Sequence, residues 1–392
     1  MSILTLDERN HRWQNIRLQM EKRGLECLII WGSLGSHNNF IANLRYLTNS
    51  ALEGYLVFPL RDEPVFFTFI GMRNPTAWVV DMRSGHPKYS ESITGCLKDL
   101  HLDSAHIGIA GPSQYYREMG FSYPTYLGLI NNFPEAKFED ATDIVEVARM
   151  IKNPAEIRCL EIGCDVGDKV IQAIADTAKV GVTDTEVRTK IRETLLSNGC
   201  ESLSMLLFIA GKEGIIHAGQ GGGIEQENPR AMEMGDMILA EFDAKYLGYQ
   251  AQFNQPYSLG TPTVEWVEIA NVVRDSFNNA LNTLKPDVTA AELDSAFLSP
   301  IKAAGYTYTH PAFHGLGLTL EDPVGSFPLQ PTHRMDDSFI FKAGMVVEFE
   351  PQVVTKDIKK GFSAGCPVLV TETGCRLLSK TWKPEIIIIQ GG

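Results

Sequence analysis

This sequence has little of what marks several protein classes. Its 392 residues hold seven cysteines (Cys27, Cys96, Cys159, Cys164, Cys200, Cys366 and Cys375), an odd, scattered set with no CxxC spacing. That excludes a disulfide framework and a zinc knuckle, and reads as the reduced thiols of a cytoplasmic protein. No apolar run approaches the roughly 20 residues that cross a bilayer. The opening MSILTLDERNHRWQ is too polar for a secretory signal. Positive charge is scarce too: 35 Lys and Arg face 48 Asp and Glu, for a net charge of −13, and no basic cluster exceeds KDIKK. A nucleic-acid surface is therefore not expected. A phosphate-cradling loop is also missing, since GSLGSHNN has neither the glycine spacing nor the lysine.

What remains is ordinary soluble composition, 44% hydrophobic and 21% charged. The length suits two domains, because single cores stop growing at roughly 250–300 residues. Helical periodicity over 7–24 stops at Gly24. LECLIIWG, NLRYLTN, GYLVFPL, EPVFFTFIG and HIGIAG then read as strands, which predicts an α/β domain over 1–150. The boundary falls near ARMIKNPAEI, where KNPAEI opens a long amphipathic helix. GVTDTEV breaks and restarts it, with Thr183 or Asp184 as N-cap and Glu186 near the third helical position. Beyond Leu203, glycine-separated β segments, two helices and further strands predict an α+β domain over 151–392, with its helices on one face of the sheet.

Acidic and imidazole side chains on strands carry the chemical information, because burying them is costly unless they are paired or used. In LAEFDAKYL, period two puts Glu241 and Asp243 on one face; in GMVVEFEPQV it pairs Glu348 with Glu350. The plain alternative is that one member of each pair ends at solvent. His217 stands between GKEGII and AGQGGG, while His310 and His314 occupy THPAFHGLGLTLEDP, where glycines permit close backbone approach. Such histidines are either structural or catalytic. GYQAQFNQP places neutral amides where an acidic chain had carboxylates to spare.

Together these segments resemble the creatinase/prolidase/methionine aminopeptidase family, the pita-bread fold. RMIKNPAEI resembles the opening of its catalytic domain, IIHAG its active-site histidine segment, HGLGL its central histidine motif, GMVVEFEP its glutamate strand and PVLVTETG its closing strand. NLRYLTN is similar to the N-terminal domain of the creatinase and prolidase branches. Metal-dependent members use two Asp, one His and two Glu. By resemblance the first Asp falls on Glu241, the second on Gln252, the His on His314, the first Glu on Glu350 and the last on Gly365. Cys366 is adjacent, but strand alternation points it the other way.

The positions lost outright, Gln252 and Gly365, are those of the bridging carboxylates, without which two cations would repel with little compensation. The resemblance therefore implies a metal-independent, creatinase-like hydrolase with no cofactor, cleaving a C–N bond of a small polar, creatine-like or ectoine-like molecule. His217 would be the general base and acid, with Glu350 and Glu241 holding a cationic group and His314 orienting Glu350 or an oxyanion. Gln252, Glu348, His310 and Glu321 would complete the substrate contacts. Arg45 and Arg73 would come from the N-terminal domain of the partner in a homodimer. The alternatives are a metal-dependent Xaa-Pro aminopeptidase or prolidase with a degenerate centre, a lyase acting by proton abstraction, and a non-catalytic binding module.

Overall fold

The computed structural model describes residues 3–34, 40–111, 121–212, 214–215, 229–320, 322–325 and 338–390. The chain divides into two compact units, Met1–Met150 and Ile151–Gly392.

The first unit begins with α1 (Leu6–Arg23), β1 (Cys27–Gly32), α2 (Ala42–Thr48), β2 (Gly54–Pro59), β3 (Val65–Thr68) and β4 (Asp81–Ser84). It continues with α3 (Tyr89–Asp99), β5 (His106–Ala110), α4 (Tyr123–Asn132), β6 (Lys137–Asp140) and α5 (Thr142–Met150). The six strands form one mixed sheet in the order β4-β3-β2-β1-β5-β6, antiparallel where β1 meets β2 and parallel where it meets β5. Ile29, Val57, Ile107, Leu97 and Phe133 are buried in its core. The predicted first helix stops at Gly24, which adopts a left-handed φ of 69° and donates to the Glu21 carbonyl. One expectation fails here: NLRYLTN forms the helix α2, not a strand. All seven of its residues are buried, so it has no polar face from which a helical period could be read.

In the second unit come α6 (Pro154–Thr177), α7 (Asp184–Ser197), β7 (Leu206–Gly211), β8 (Gly214–Ile215), β9 (Met237–Tyr246) and β10 (Tyr249–Leu259). They are followed by α8 (Val264–Thr283), α9 (Ala290–Ala303), β11 (Phe313–Gly315), β12 (Asp322–Gly325), β13 (Val346–Phe349) and β14 (Gln352–Val354). The unit closes with β15 (Lys360–Ser363), β16 (Cys366–Val370), β17 (Cys375–Leu377) and β18 (Ile387–Ile389). Its strands form three sheets: β18-β10-β9-β7, β12-β11-β13-β16-β17 and β14-β15-β8. Asn153 caps α6 by accepting from the backbone N–H groups of Ala155 and Glu156, while Glu156 reaches back to the Asn153 N–H. Thr183 and Glu186 form the same reciprocal cap on α7, as the spacing predicts.

The β9–β10 hairpin is the element on which the site is built. Leu247 and Gly248 turn it, both with positive φ, 49° and 89°, the signature of a two-residue turn matched to strand twist. That turn fixes the register: Gln252 lies opposite Asp243 and Asn254 opposite Glu241. A one-residue slip would send every one of these side chains to the other face. Helix α6 backs the hairpin, and the Tyr249 hydroxyl donates to Glu156 Oε1 at 2.8 Å. The approach is close enough that only glycine fits at 167, where an added Cβ would lie 2.1 Å from Cε2 of Phe253.

Two glycines in helix interiors should therefore respond oppositely to alanine. Gly95 on α3 has nothing within 4 Å of an added Cβ, so Gly95→Ala should raise stability by about 0.5–1 kcal/mol. Gly167→Ala must displace the Phe253 ring and should cost about 1–3 kcal/mol or more. Urea denaturation of both variants checks the pair, and equal midpoints would contradict the packing described.

Candidate active site

Glu241 on β9 and Gln252 on β10 face the same buried space. Gln252 Nε2 donates to Glu241 Oε1 at 3.0 Å and to Glu350 Oε2 at 3.3 Å. Ionised carboxylates only accept, so two of them select the NH2 side of the amide. Asn254, two residues on and therefore on the same face, donates from Nδ2 to Glu350 Oε2 at 3.2 Å and to Ser363 Oγ at 3.0 Å. Its backbone exchanges two hydrogen bonds with Gly365, at 3.0 and 2.9 Å. That bridge ties the hairpin to the residue just before β16.

Glu350 is the meeting point of the two sheets. It follows β13, and its backbone N–H donates to the Ala312 carbonyl at 2.8 Å. His314, on β11 opposite Glu348, puts Nε2 3.5 Å from Glu350 Oε1. Its Nδ1 is 3.1 Å from the Gly315 carbonyl. The ring thus lies between two acceptors, the Gly315 carbonyl at Nδ1 and the Glu350 carboxylate at Nε2. Burial pulls the ring's pKa down to about 4, against the opposing effect of the Gly315 and Leu320 carbonyls. His310 Nδ1 lies 2.6 Å from the Pro311 carbonyl and 3.8 Å from Glu350 Oε1.

Burial governs the acids as well. It raises the Glu241 carboxyl to about 7, although the Gln252 hydrogen bond works the other way. Glu348 is fully buried and pushed well above the usual carboxylate range, first by burial and then by the charges of Glu350 and Glu241. Two ionised carboxylates about 5 Å apart repel by roughly 3 kcal/mol at an effective dielectric near 20. Asp243, sharing the strand face with Glu241, has a different task. Its Oδ1 accepts from the backbone N–H groups of Ser204 and Met205 at 2.8 and 2.7 Å, pinning the entry to β7.

Of the expected site residues, Glu241, Gln252, His310, His314, Glu348 and Glu350 are gathered here, all buried. His217 and Glu321 lie outside the described residues. Arg45 is buried on α2 of the first unit, and Arg73 is exposed in one of that unit's loops. Asn254 and Ser363 were not anticipated. The period-two step from Gln252 was the available signal for Asn254, whereas Ser363 carries none. Cys366 is fully buried, with Sγ 3.8 Å from the Pro367 carbonyl.

A carboxylate-bridged pair of metal ions does not fit this arrangement. Gln252 turns donor hydrogens, not an anion, toward Glu241 and Glu350, and Gly365 has no side chain to offer. For a single cation the donor types are present but not assembled, because the Gln252 amide hydrogens lie between Glu241 and Glu350. Glu241, Glu350 and Glu348 supply oxygens and His314 a lone pair, a set suited to an ion such as Mn²⁺. Among the described residues no three His, Cys, Asp or Glu side chains are already gathered about one point. Yet no donor among the described residues reaches either oxygen of Glu348 or the Oε1 of Gln252, and buried acceptors left so are costly.

The sequence matches the metallopeptidase family M24 over residues 158–372 and the creatinase/prolidase N-terminal domain over residues 12–151. It is 28% identical to an Xaa-Pro dipeptidase of Pyrococcus furiosus over 261 residues, covering 64% of this chain and 71% of the relative. It is 26% identical to an Xaa-Pro dipeptidase of Pyrococcus horikoshii, covering 62% and 67%. Its fold is that of an X-Pro aminopeptidase from Thermotoga maritima (TM-score 0.80, 19% identity, 96% and 99% of the two chains covered). An Xaa-Pro dipeptidase from Bacillus anthracis shares it too, with a TM-score of 0.78 and 20% identity over 97% and 99% of the chains. The pita-bread catalytic domain and its creatinase-type N-terminal domain are thus established. The expected metal-independent, creatinase-like activity is not: a metallopeptidase family and relatives that are Xaa-Pro dipeptidases overturn it in favour of the metal-dependent alternative. The expectation gave the losses at Gln252 and Gly365 too much weight, because three carboxylates remain beside them.

Gln252 is the shared donor for two buried acids, so Gln252→Leu should cost about 1–3 kcal/mol. Thermal unfolding without added metal reads this out, and an unchanged midpoint would show that the amide is not holding the acids.

Proposed function

We propose that this chain, which belongs to metallopeptidase family M24, hydrolyses the peptide bond of Xaa-Pro dipeptides with the help of one bound divalent cation. The observation that carries the reading is the convergence on Glu350: Gln252 links it to Glu241, and His314 Nε2 stands 3.5 Å from it. An imidazole and carboxylates brought together in a buried space are the kinds of donor that a divalent cation takes.

Glu241, Glu348, Glu350 and His314 would hold the cation, which when bound supplies a Lewis acid for the scissile carbonyl. The chain's own contributions follow from its geometry. The Gly315 carbonyl, 3.1 Å from Nδ1, holds the His314 ring with Nε2 toward Glu350. Asn254 and Gln252 orient Glu350 from one side. The near-complete burial of these groups excludes water and strengthens every charge interaction among them. In an Xaa-Pro substrate the leaving nitrogen belongs to the proline ring and departs only after protonation. We assign that proton delivery to His217, on its place in the IIHAG segment.

The test is dipeptide hydrolysis by the full chain, as purified, after chelation, and after return of Mn²⁺. Turnover should vanish on chelation and come back with the ion, and Glu350→Gln should lower kcat/KM by roughly 100-fold or more. Undiminished turnover in the chelated protein, or none toward any Xaa-Pro dipeptide in the loaded one, would sink the reading.

A further inference from the structure

Gln352 opens β14 and is 1% exposed. Its Oε1 accepts twice from Thr309, from the backbone N–H at 2.9 Å and from Oγ1 at 2.7 Å. A backbone N–H can only donate, so these bonds fix which end of the amide faces Thr309. The NH2 end is turned away, and no acceptor among the described residues reaches Nε2. Burying a donor in that state is costly, so packing alone gives no reason for an amide here.

The surroundings of Gln352 set it beside the acids. In the β14–β15 pairing it lies opposite Ser363, and directly opposed residues of an antiparallel pair share a face. Ser363 Oγ accepts from Asn254 Nδ2 at 3.0 Å, and the same Nδ2 donates to Glu350 Oε2 at 3.2 Å. On the other side Thr309 adjoins His310, whose Nδ1 is 3.8 Å from Glu350 Oε1. Gln352 thus stands at the edge of the cluster, two residues past Glu350, or roughly 6–7 Å along an extended backbone. Gln352 Nε2 and Asn254 Oδ1 flank Ser363 and do not bond to each other.

The chemistry of that amide selects what it would take. An NH2 group held from behind by two hydrogen bonds suits an oxygen acceptor, not an ammonium or a metal ion. In an Xaa-Pro dipeptide the step from the scissile carbonyl carbon to the carboxyl carbon is about one residue's rise, roughly 3.3 Å. One hydrogen bond of about 2.9 Å then completes the span from Glu350 to Gln352. An anionic oxygen also draws the stronger bond from a neutral donor.

We propose that Gln352 is a specificity-determining residue whose Nε2 binds the terminal carboxylate of the dipeptide, with Thr309 as the residue that positions it. The inference rests on the Xaa-Pro reading above, but it requires no cation and concerns the far end of the substrate.

Two ligands that differ only at that end test it. Alanyl-proline carries the carboxylate, and alanyl-pyrrolidide lacks it. Binding to the full chain is measured by titration calorimetry after chelation, so that turnover does not intervene, and folding by thermal denaturation. The parent should bind alanyl-proline more tightly. Gln352→Met removes the donor, and Gln352→Glu replaces it with an acceptor while keeping an oxygen for Thr309. Each should weaken alanyl-proline at least about tenfold, as loss of a hydrogen bond to a charged group does, and leave alanyl-pyrrolidide unchanged. In the metal-loaded chain the same variants should raise KM for alanyl-proline more than they lower kcat. If Gln352→Met does not fold, Gln352→Glu carries the comparison. Equal losses for both ligands would show a merely structural amide and overturn the proposal. Parent-like binding of alanyl-proline by the folded variants, the result expected if Nε2 meets only an ordered water, overturns it too. So does a parent chain that binds neither ligand, or both alike. If the binding results hold while no Xaa-Pro dipeptide is cleaved, the proposed reaction fails and the carboxylate site stands.

Discussion

The amide of Gln252, held between Glu241 and Glu350, is the contact on which the rest of the site depends. It joins the β9–β10 hairpin to the loop that follows β13, and so joins two separate sheets through one side chain. A carboxylate at 252 would add a further charge to a space that already contains three acids. An apolar residue would remove a donor from both Glu241 and Glu350, leaving Glu350 that of Asn254. The amide satisfies both and still turns an unused acceptor, Oε1, toward the interior. In this chain the glutamine keeps two buried acids together.

That contact exists because backbone geometry elsewhere is exact to a single residue. The positive φ of Leu247 and Gly248 closes the hairpin after Tyr246, which sets Asn254 across from Glu241 and leaves Gln252 on the diagonal. Gly167 lets α6 press against Phe253, whose ring stacks on Phe242 at 5.6 Å between centroids. Phe242 and Phe253 point away from the acids by strand alternation. The packing that stabilises one face of the hairpin is therefore what presents Glu241, Gln252 and Asn254 on the other. Disturbing the apolar face would misplace the polar one.

Much of this was legible because it follows from local chemistry. Gly24 and the Thr183–Glu186 pair end and begin helices by satisfying orphan backbone groups, which neighbouring residues can report. Period two placed Glu348 beside Glu350 and Glu241 beside Asp243 without any knowledge of the fold. Helix α2 was missed because complete burial erases the contrast between its faces. Ser363 was missed for another reason. Its contact depends on the end of β15 lying against β10, a meeting of segments far apart in sequence. Glycine at 365 read as a ligand lost, since nothing in the chain order shows that the Phe349 carbonyl and the Glu348 carboxylate crowd the place a side chain would take. The error about metal dependence came from the same place: ligands were counted along the sequence, while carboxylates accumulate in space.

The acids themselves carry the last step. Glu241, Glu348 and Glu350 are each less than a tenth exposed. Burial alone drives such groups toward their neutral forms, as the raised values of Glu241 and Glu348 show. A chain selected only for stability would gain by replacing them with apolar residues of similar size. Beside them stands His314, with Nε2 3.5 Å from Glu350. In the single-cation reading, a positive ion would offset the electrostatic penalty of these acids together, so that folding and binding would be coupled through charges that the sheet keeps out of water.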